Sequence, residues 1–175
     1  MTKEIAVARP SWDEYFLEIM AAVAKRATCE RGQSGCVIAR DKRILATGYV
    51  GSPAGTPHCD KDGHELMEAL NADGTISKHC VRTAHAEQNA IAHAARLGIA
   101  LEGGTLYCKM TPCYACAKMI INAGIERVVA LNDYHAGQRT KAIFKTAGVK
   151  FELINNRVEK YKGQKRPIRV KAVKR

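Results

Sequence analysis

Two short segments constrain this chain more than any other feature: His85-Ala86-Glu87 and Pro112-Cys113-Tyr114-Ala115-Cys116. Each stands at the head of a run with helical periodicity, and a single strand-like run, Gly104-Thr-Leu-Tyr-Cys-Lys109, lies between them. Cys113 and Cys116 are three residues apart and so share a helix face. The positive end of a helix dipole favours thiolate over thiol. His85, Cys113 and Cys116 are donors of the kind zinc prefers, and three of them leave one tetrahedral position open. Catalytic zinc sites keep that position for water, whereas structural sites close it. Zinc lowers the pKa of such a water to about 7. Glu87, two residues from His85, is placed to take the proton and hand it on. Taken alone, the CxxC pair reads equally as a redox motif or as half of a structural zinc site.

The rest of the chain supplies a frame for these segments. Ser11-Trp12-Asp13-Glu14 reads as a capping box, and the spacing of Trp12, Tyr15, Phe16, Ile19, Met20 and Val23 predicts a helix over about 12–28. Cys36–Ala39 and Ile44–Val50, joined by the polar Arg40–Arg43, predict a hairpin. Residues 51–57 are a loop, and 58–84 are weakly periodic, which predicts an irregular insertion. Helices follow from His85 to Leu97, stopped at Gly98, and from Pro112, in its first turn, to about Ala123. Strands are expected at 126–131 and 149–154, with a helix over 138–147 ending at Gly148. The order α-β-β-α-β-α-β-α-β predicts an α/β fold: a three-layer α/β/α sandwich around a five-stranded mixed sheet.

Length and composition narrow the class. The 175 residues suit one domain, and 46% apolar residues exclude a disordered chain. No apolar run approaches the ~18–20 residues a spanning helix needs, so no membrane partner is expected. The start, MTKEIAVARPSWDEYF, is polar and carries both charges, unlike a secretory leader. A cytoplasmic location is therefore expected, where the seven cysteines are free or metal-bound. The net charge is +11, but residues 157–175 hold nine basic residues and one acid, Glu159. The basic balance thus belongs to a tail, expected to be solvated or packed on a neighbouring subunit. Its single aromatic, Tyr161, offers no base-stacking platform, so a nucleic-acid partner is not expected.

HxE opening one helix and PCxxC opening the next is the zinc deaminase arrangement. The chain resembles the deoxycytidylate (dCMP) deaminase family of the cytidine deaminase superfamily. The matching stretches are Arg9-Pro-Ser-Trp-Asp-Glu-Tyr-Phe16, Gly48-Tyr-Val-Gly-Ser-Pro-Ala-Gly55, Cys80-Val-Arg-Thr-Ala-His-Ala-Glu-Gln-Asn-Ala-Ile91 and Thr111-Pro-Cys-Tyr-Ala-Cys-Ala-Lys-Met-Ile-Ile-Asn-Ala-Gly-Ile125. They assign 9–154 to a deaminase domain. The resemblance implies one catalytic Zn²⁺ on His85, Cys113 and Cys116, with Glu87 as proton shuttle. It implies that backbone around Ala86, Thr111 and Pro112 grips the pyrimidine, and that dCMP becomes dUMP, the precursor for thymidylate synthesis. It also implies a homo-oligomer, a hexamer by preference, switched by dCTP and by dTTP with Mg²⁺. An effector or the substrate sugar would lie along Gly48, Tyr49, Gly51, Ser52 and Gly55. Val50 departs from the family, which usually has Asn there; valine offers no side-chain hydrogen bond. That departure, with the basic tail, keeps a modified or ribo-cytidylate, or a base in a nucleic acid, as an alternative substrate. A zinc-stabilised binding module is a third reading, against which Glu87 argues.

Some members of the family carry a second, structural zinc. Cys29, Cys59, His64 and Cys80 fit a closed four-ligand site, with His58 and His79 as rival ligands and free thiols as the plainer reading. Tyr134 and His135 follow a strand end, within reach of a nucleotide or in an ordinary loop. Arg96 and Arg139 read as solvated charges, His93 as a surface residue, and Tyr107, Cys108 and Cys36 as core.

Overall fold

The structure, a computed structural model, describes residues 9–70, 75–158 and 168–169. The first helix, α1 (Trp12–Ala24), has the anticipated capping box: Ser11 N–H donates to Glu14 Oε2 at 2.7 Å and Glu14 N–H to Ser11 Oγ at 3.2 Å. The helix stops earlier than expected because residues 25–27 tighten into i→i−3 turns. That turns the chain aside and delivers Cys29, which is buried, to a cluster described below.

β1 (Gly35–Arg40) and β2 (Arg43–Tyr49) form the hairpin. Asp41 and Lys42 adopt φ of 50° and 64°, as a two-residue primed turn requires. β5 (Thr105–Met110), β6 (Arg127–Asn132) and β7 (Lys150–Leu153) complete a sheet of order β2-β1-β5-β6-β7. The β5, β6 and β7 pairings are parallel and the β1 pairings antiparallel, so the sheet is mixed. Strict alternation sorts its side chains. Val37, Ala39, Tyr107 and Val129 pack with Phe16 and Met20 of α1. Cys36, Ile38, Leu106, Cys108, Val128 and Ala130 face the other way, onto α3 (Ala86–Arg96), α4 (Tyr114–Asn122) and α5 (Gln138–Ala147). The result is the expected three-layer sandwich.

Two glycines set the layer spacing. A Cβ on Gly35 would lie 2.5 Å from the Met20 carbonyl oxygen, and one on Gly48 would lie 2.2 Å from that of Ala86. Either approach is open only to a residue without a side chain.

The described residues of 58–84 are more regular than anticipated. They carry a short helix, α2 (Cys59–Asp62), and an antiparallel pair, β3 (Leu66–Leu70) and β4 (Thr75–Cys80). Every residue of β3 is exposed, so no apolar alternation marks it in the sequence. A third short strand, β8 (Ile168–Arg169), pairs with β4 at Thr75 and Ile76. Part of the tail expected to be solvated or packed on a neighbouring subunit therefore joins a sheet of its own chain there, and Val158 bridges to Asp133. Tyr161 and the basic residues of the tail other than Arg157 and Arg169 lie outside the described residues.

One ion network ties α1 to the sheet. Arg127 donates two bonds to Asp13 (2.7 and 2.8 Å) and two to Glu152 (both 2.9 Å), and Tyr107 O–H donates to Asp13 Oδ1 at 2.8 Å. The Arg127 bonds hold Glu152 down at about 2 and Asp13 below its ordinary value. Carboxylates depressed in the folded state stabilise it above their unfolded pKa values, 4.5 and 3.8. That stability is lost as the pH falls toward 2. Both carboxylates are about one-third exposed, which limits the effect to ~2 kcal/mol. Arg127→Leu is expected to lower Tm by about 4–8 °C at pH 7. Its deficit against the wild type should shrink between about pH 4.5 and 2. Thermal melts across that range would refute this if the deficit stayed constant.

Candidate active site

Two helix starts converge on one point. His85 is the residue that caps α3, in extended conformation, and its N–H donates to Gln88 Oε1 at 2.8 Å. Cys113 caps α4 in the same way and accepts from Cys116 N–H at 3.5 Å. Pro112 consequently stands ahead of the cap rather than in the first helical turn. The cap must be extended for its sulfur to turn back over the helix end. His85 Nδ1 lies 3.5 Å from Cys113 Sγ and 3.4 Å from Cys116 Sγ. The three donor atoms fall within 4.8 Å of one another, with His85 exposed, Cys113 half-buried and Cys116 buried.

The electrostatics suit a cation. The hydrogen bond from Cys116 pulls the Cys113 thiol down to about 4, while the same bond pushes Cys116 up. His85 is raised to about 9, chiefly by its bond with Cys113. Two sulfurs and an imidazole are thus contesting protons around one point, under the positive ends of two helices. A divalent ion with a taste for sulfur and nitrogen displaces those protons and takes all three lone pairs. Glu87, only 6% exposed, lies beside them, and its burial raises its pKa.

His85, Glu87 and Cys113 line a cleft of about 110 Å³ at the carboxyl end of β5, the usual position for a site in an open α/β sheet, and the buried Cys116 lies just behind them. Thr111, Pro112, Tyr134 and Val50 form its nearer walls. Ala86 is fully buried in the core behind it. Of the glycine-rich stretch, Gly48 and Tyr49 belong to β2, Gly51 bridges to Ala84, and Gly55 is exposed at φ 81°. Neither these residues nor Ser52 line the cleft; Val50 does. Arg31, Ser34 and Lys78, none of them expected as site residues, also line it, with Arg31 donating to the Lys78 carbonyl at 3.0 Å. Arg139 stacks on Tyr114 at 4.2 Å, and Arg96 and His93 are exposed away from the cleft.

A second cluster borders the same cleft. Cys29, Cys59, His64 and Cys80 bring four donor atoms within 4.8 Å of one another. Cys29 Sγ is 3.6 Å from His64 Nδ1, and Cys59 Sγ is 3.5 Å from Cys80 Sγ. Burial among the other sulfurs pushes Cys59 up to about 12. Of the rival ligands, His58 turns to Thr28 Oγ1 at 3.2 Å, and His79 lines the cleft. Cys29 and Cys80 line the cleft as well, so the cluster forms part of its wall.

Comparison with known proteins points the same way. Residues 10–132 match the family described as the cytidine and deoxycytidylate deaminase zinc-binding region. ComE operon protein 2 of Bacillus subtilis is 40% identical over 146 residues, covering 83% of this chain and 72% of that protein. The deoxycytidylate deaminase of Mycobacterium phage D29 is 43% identical over 125 residues, covering 70% of this chain and 96% of the phage protein. Among solved structures, the dCMP deaminase of cyanophage S-TIM5 in complex with dCMP and dUMP superposes with a TM-score of 0.68 at 28% identity. That match covers 83% of this chain and 98% of the phage chain.

Proposed function

We propose that this chain, which belongs to the cytidine and deoxycytidylate deaminase family, hydrolyses the 4-amino group of dCMP to give dUMP and ammonia. The observation that carries the reading is the convergence of His85, Cys113 and Cys116 beside the buried carboxylate of Glu87, in one cleft. Zinc held by His85 Nδ1 and the two sulfurs supplies the Lewis acidity that makes hydroxide available near pH 7, at a water pKa of about 7. Glu87 takes a proton from the attacking water and gives it to N3 of the pyrimidine. The oxygen adds at C4 and the C4–N bond breaks. Glu87 then carries the remaining proton to the departing amine, so water and dCMP balance against dUMP and ammonia. Thr111, Pro112 and Tyr134 enclose the base, and Ala86 presents backbone from behind.

A structural Zn²⁺ on Cys29, Cys59, His64 and Cys80 belongs to the same reading, supported by four clustered donors with no carboxylate base among them. Regulation by dCTP and by dTTP with Mg²⁺, the possible effector stretch 48–55, hexamer formation and a cytoplasmic location rest on the family resemblance. Among the described residues no helix is long and apolar enough to cross a membrane. The alternative, a ribo- or modified cytidylate, is favoured by one observation: Val50 puts an apolar wall in the cleft.

Ammonia release from dCMP, CMP, dCTP, 5-methyl-dCMP, deoxycytidine and a cytosine-bearing single strand, with and without dCTP, tests both. Preferential turnover of dCMP is expected. Silence on dCMP with turnover of another compound would replace the substrate and leave the chemistry standing.

A further inference from the structure

Asp133 has no place in any motif and lies outside the metal clusters, yet it is bonded to two residues that line the cleft. It follows β6 directly, where the parallel pairing with β5 sets it beside Thr111. Its Oδ1 accepts from Thr111 Oγ1 at 2.7 Å and from Tyr134 N–H at 2.8 Å. Its Oδ2 accepts from Lys141 Nζ of α5 at 2.7 Å. Its own N–H donates to the Arg157 carbonyl at 2.9 Å. The turn that follows is packed onto this carboxylate. A Cβ on Gly137 would meet Thr111 Cγ2 at 3.0 Å and Asp133 Oδ1 at 3.2 Å. Burial alone would raise the Asp133 pKa, and the bonds from Lys141, Thr111 and Tyr134 bring it below its ordinary value.

Thr111 is fully buried and immediately precedes Pro112 and Cys113, and both Thr111 and Tyr134 line the cleft. We propose that Asp133 is a positioning residue for the substrate: one carboxylate, steadied by Lys141, fixes Thr111 and Tyr134 relative to one another in the wall of the cleft. The Thr111 hydroxyl proton is committed to Asp133, so toward a ligand this side chain acts only as an acceptor. Asp133 touches none of the proposed zinc ligands, so its effect falls on substrate binding rather than on metal loading or proton transfer.

This inference rests on the dCMP reading, and its test is a double-mutant cycle on Asp133→Asn, Thr111→Val and the pair. Kinetics on dCMP, dUMP affinity by calorimetry and zinc content are read on each. Asp133→Asn is expected to raise KM about tenfold, with kcat within about threefold and zinc unchanged. The two effects should not multiply, since Asp133→Asn weakens the charge-assisted bond that Thr111→Val removes. A lower Tm with unchanged KM and dUMP affinity, or effects that multiply, would reduce Asp133 to a structural role. Turnover by the wild type of a different panel compound sinks the dCMP reading alone, and the cycle is then read on that compound. A wild type that neither binds nor turns over any of them overturns both.

Discussion

Glu87→Gln is expected to lower kcat on dCMP by about 10³-fold, within the 10²–10⁴ range of general acid–base catalysis, while the zinc content stays at the wild-type level. Glutamine keeps the shape of the side chain in a site where only 6% of Glu87 is exposed. It cannot accept a proton and return it. His85, Cys113 and Cys116 keep their donor atoms, which lie within 4.8 Å of one another. Metal analysis and turnover on one preparation decide the matter. A variant that retains more than a tenth of its kcat would remove Glu87 from the proton path. One that loses zinc together with activity would make it a metal-site residue instead.

Cys59→Ser is expected to reduce bound zinc from two ions per chain to one and to lower Tm by about 10 °C or more, because structural zinc contributes folding free energy directly. Cys59 is 7% exposed and opens α2, with its sulfur 3.5 Å from that of Cys80. Cys36→Ala provides the comparison. That thiol is fully buried in the core, outside both clusters, and its loss should remove no metal and cost only the ~1–2 kcal/mol of a small cavity. Should Cys59→Ser keep two zinc ions, or melt like Cys36→Ala, the four-donor centre is not a zinc site. Activity should fall as well, since Cys80 and its neighbours Lys78 and His79 line the substrate cleft.

What could be seen in advance follows from the range of the interactions. α5 runs from Gln138 to Ala147 as its pattern and Gly148 indicate, because a glycine at φ 75° is a local stop signal. The donors of both clusters were visible because few residue types can bind a metal, and each is distinctive even at a distance. β3 and β4 were not visible: a strand exposed along its whole length has no apolar alternation to betray it. Asp133 and Arg127 escaped for another reason. Asp133 meets Thr111 across 22 residues and Arg127 meets Asp13 across 114, and an ordinary charged residue carries no mark of a partner so remote. The end of α1 was misjudged because it depends on where Cys29 must go.

The short connection between the two clusters bears on the order of assembly during synthesis. Cys80 belongs to one cluster and His85 to the other, and the intervening Ala84 is paired in both directions with Gly51, at 3.0 and 3.3 Å. All four donors of the first cluster lie within the first 80 residues, while Cys113 and Cys116 come more than 30 residues later. A chain emerging from the ribosome at about 5–20 residues per second thus has its first donor cluster complete in composition while the second still lacks both cysteines. Should the early cluster take up the proposed ion, Cys80 would be fixed, and with it His85 would be confined to a small volume. The late cysteines then meet a donor already present at high effective concentration, rather than one searching from a loose chain.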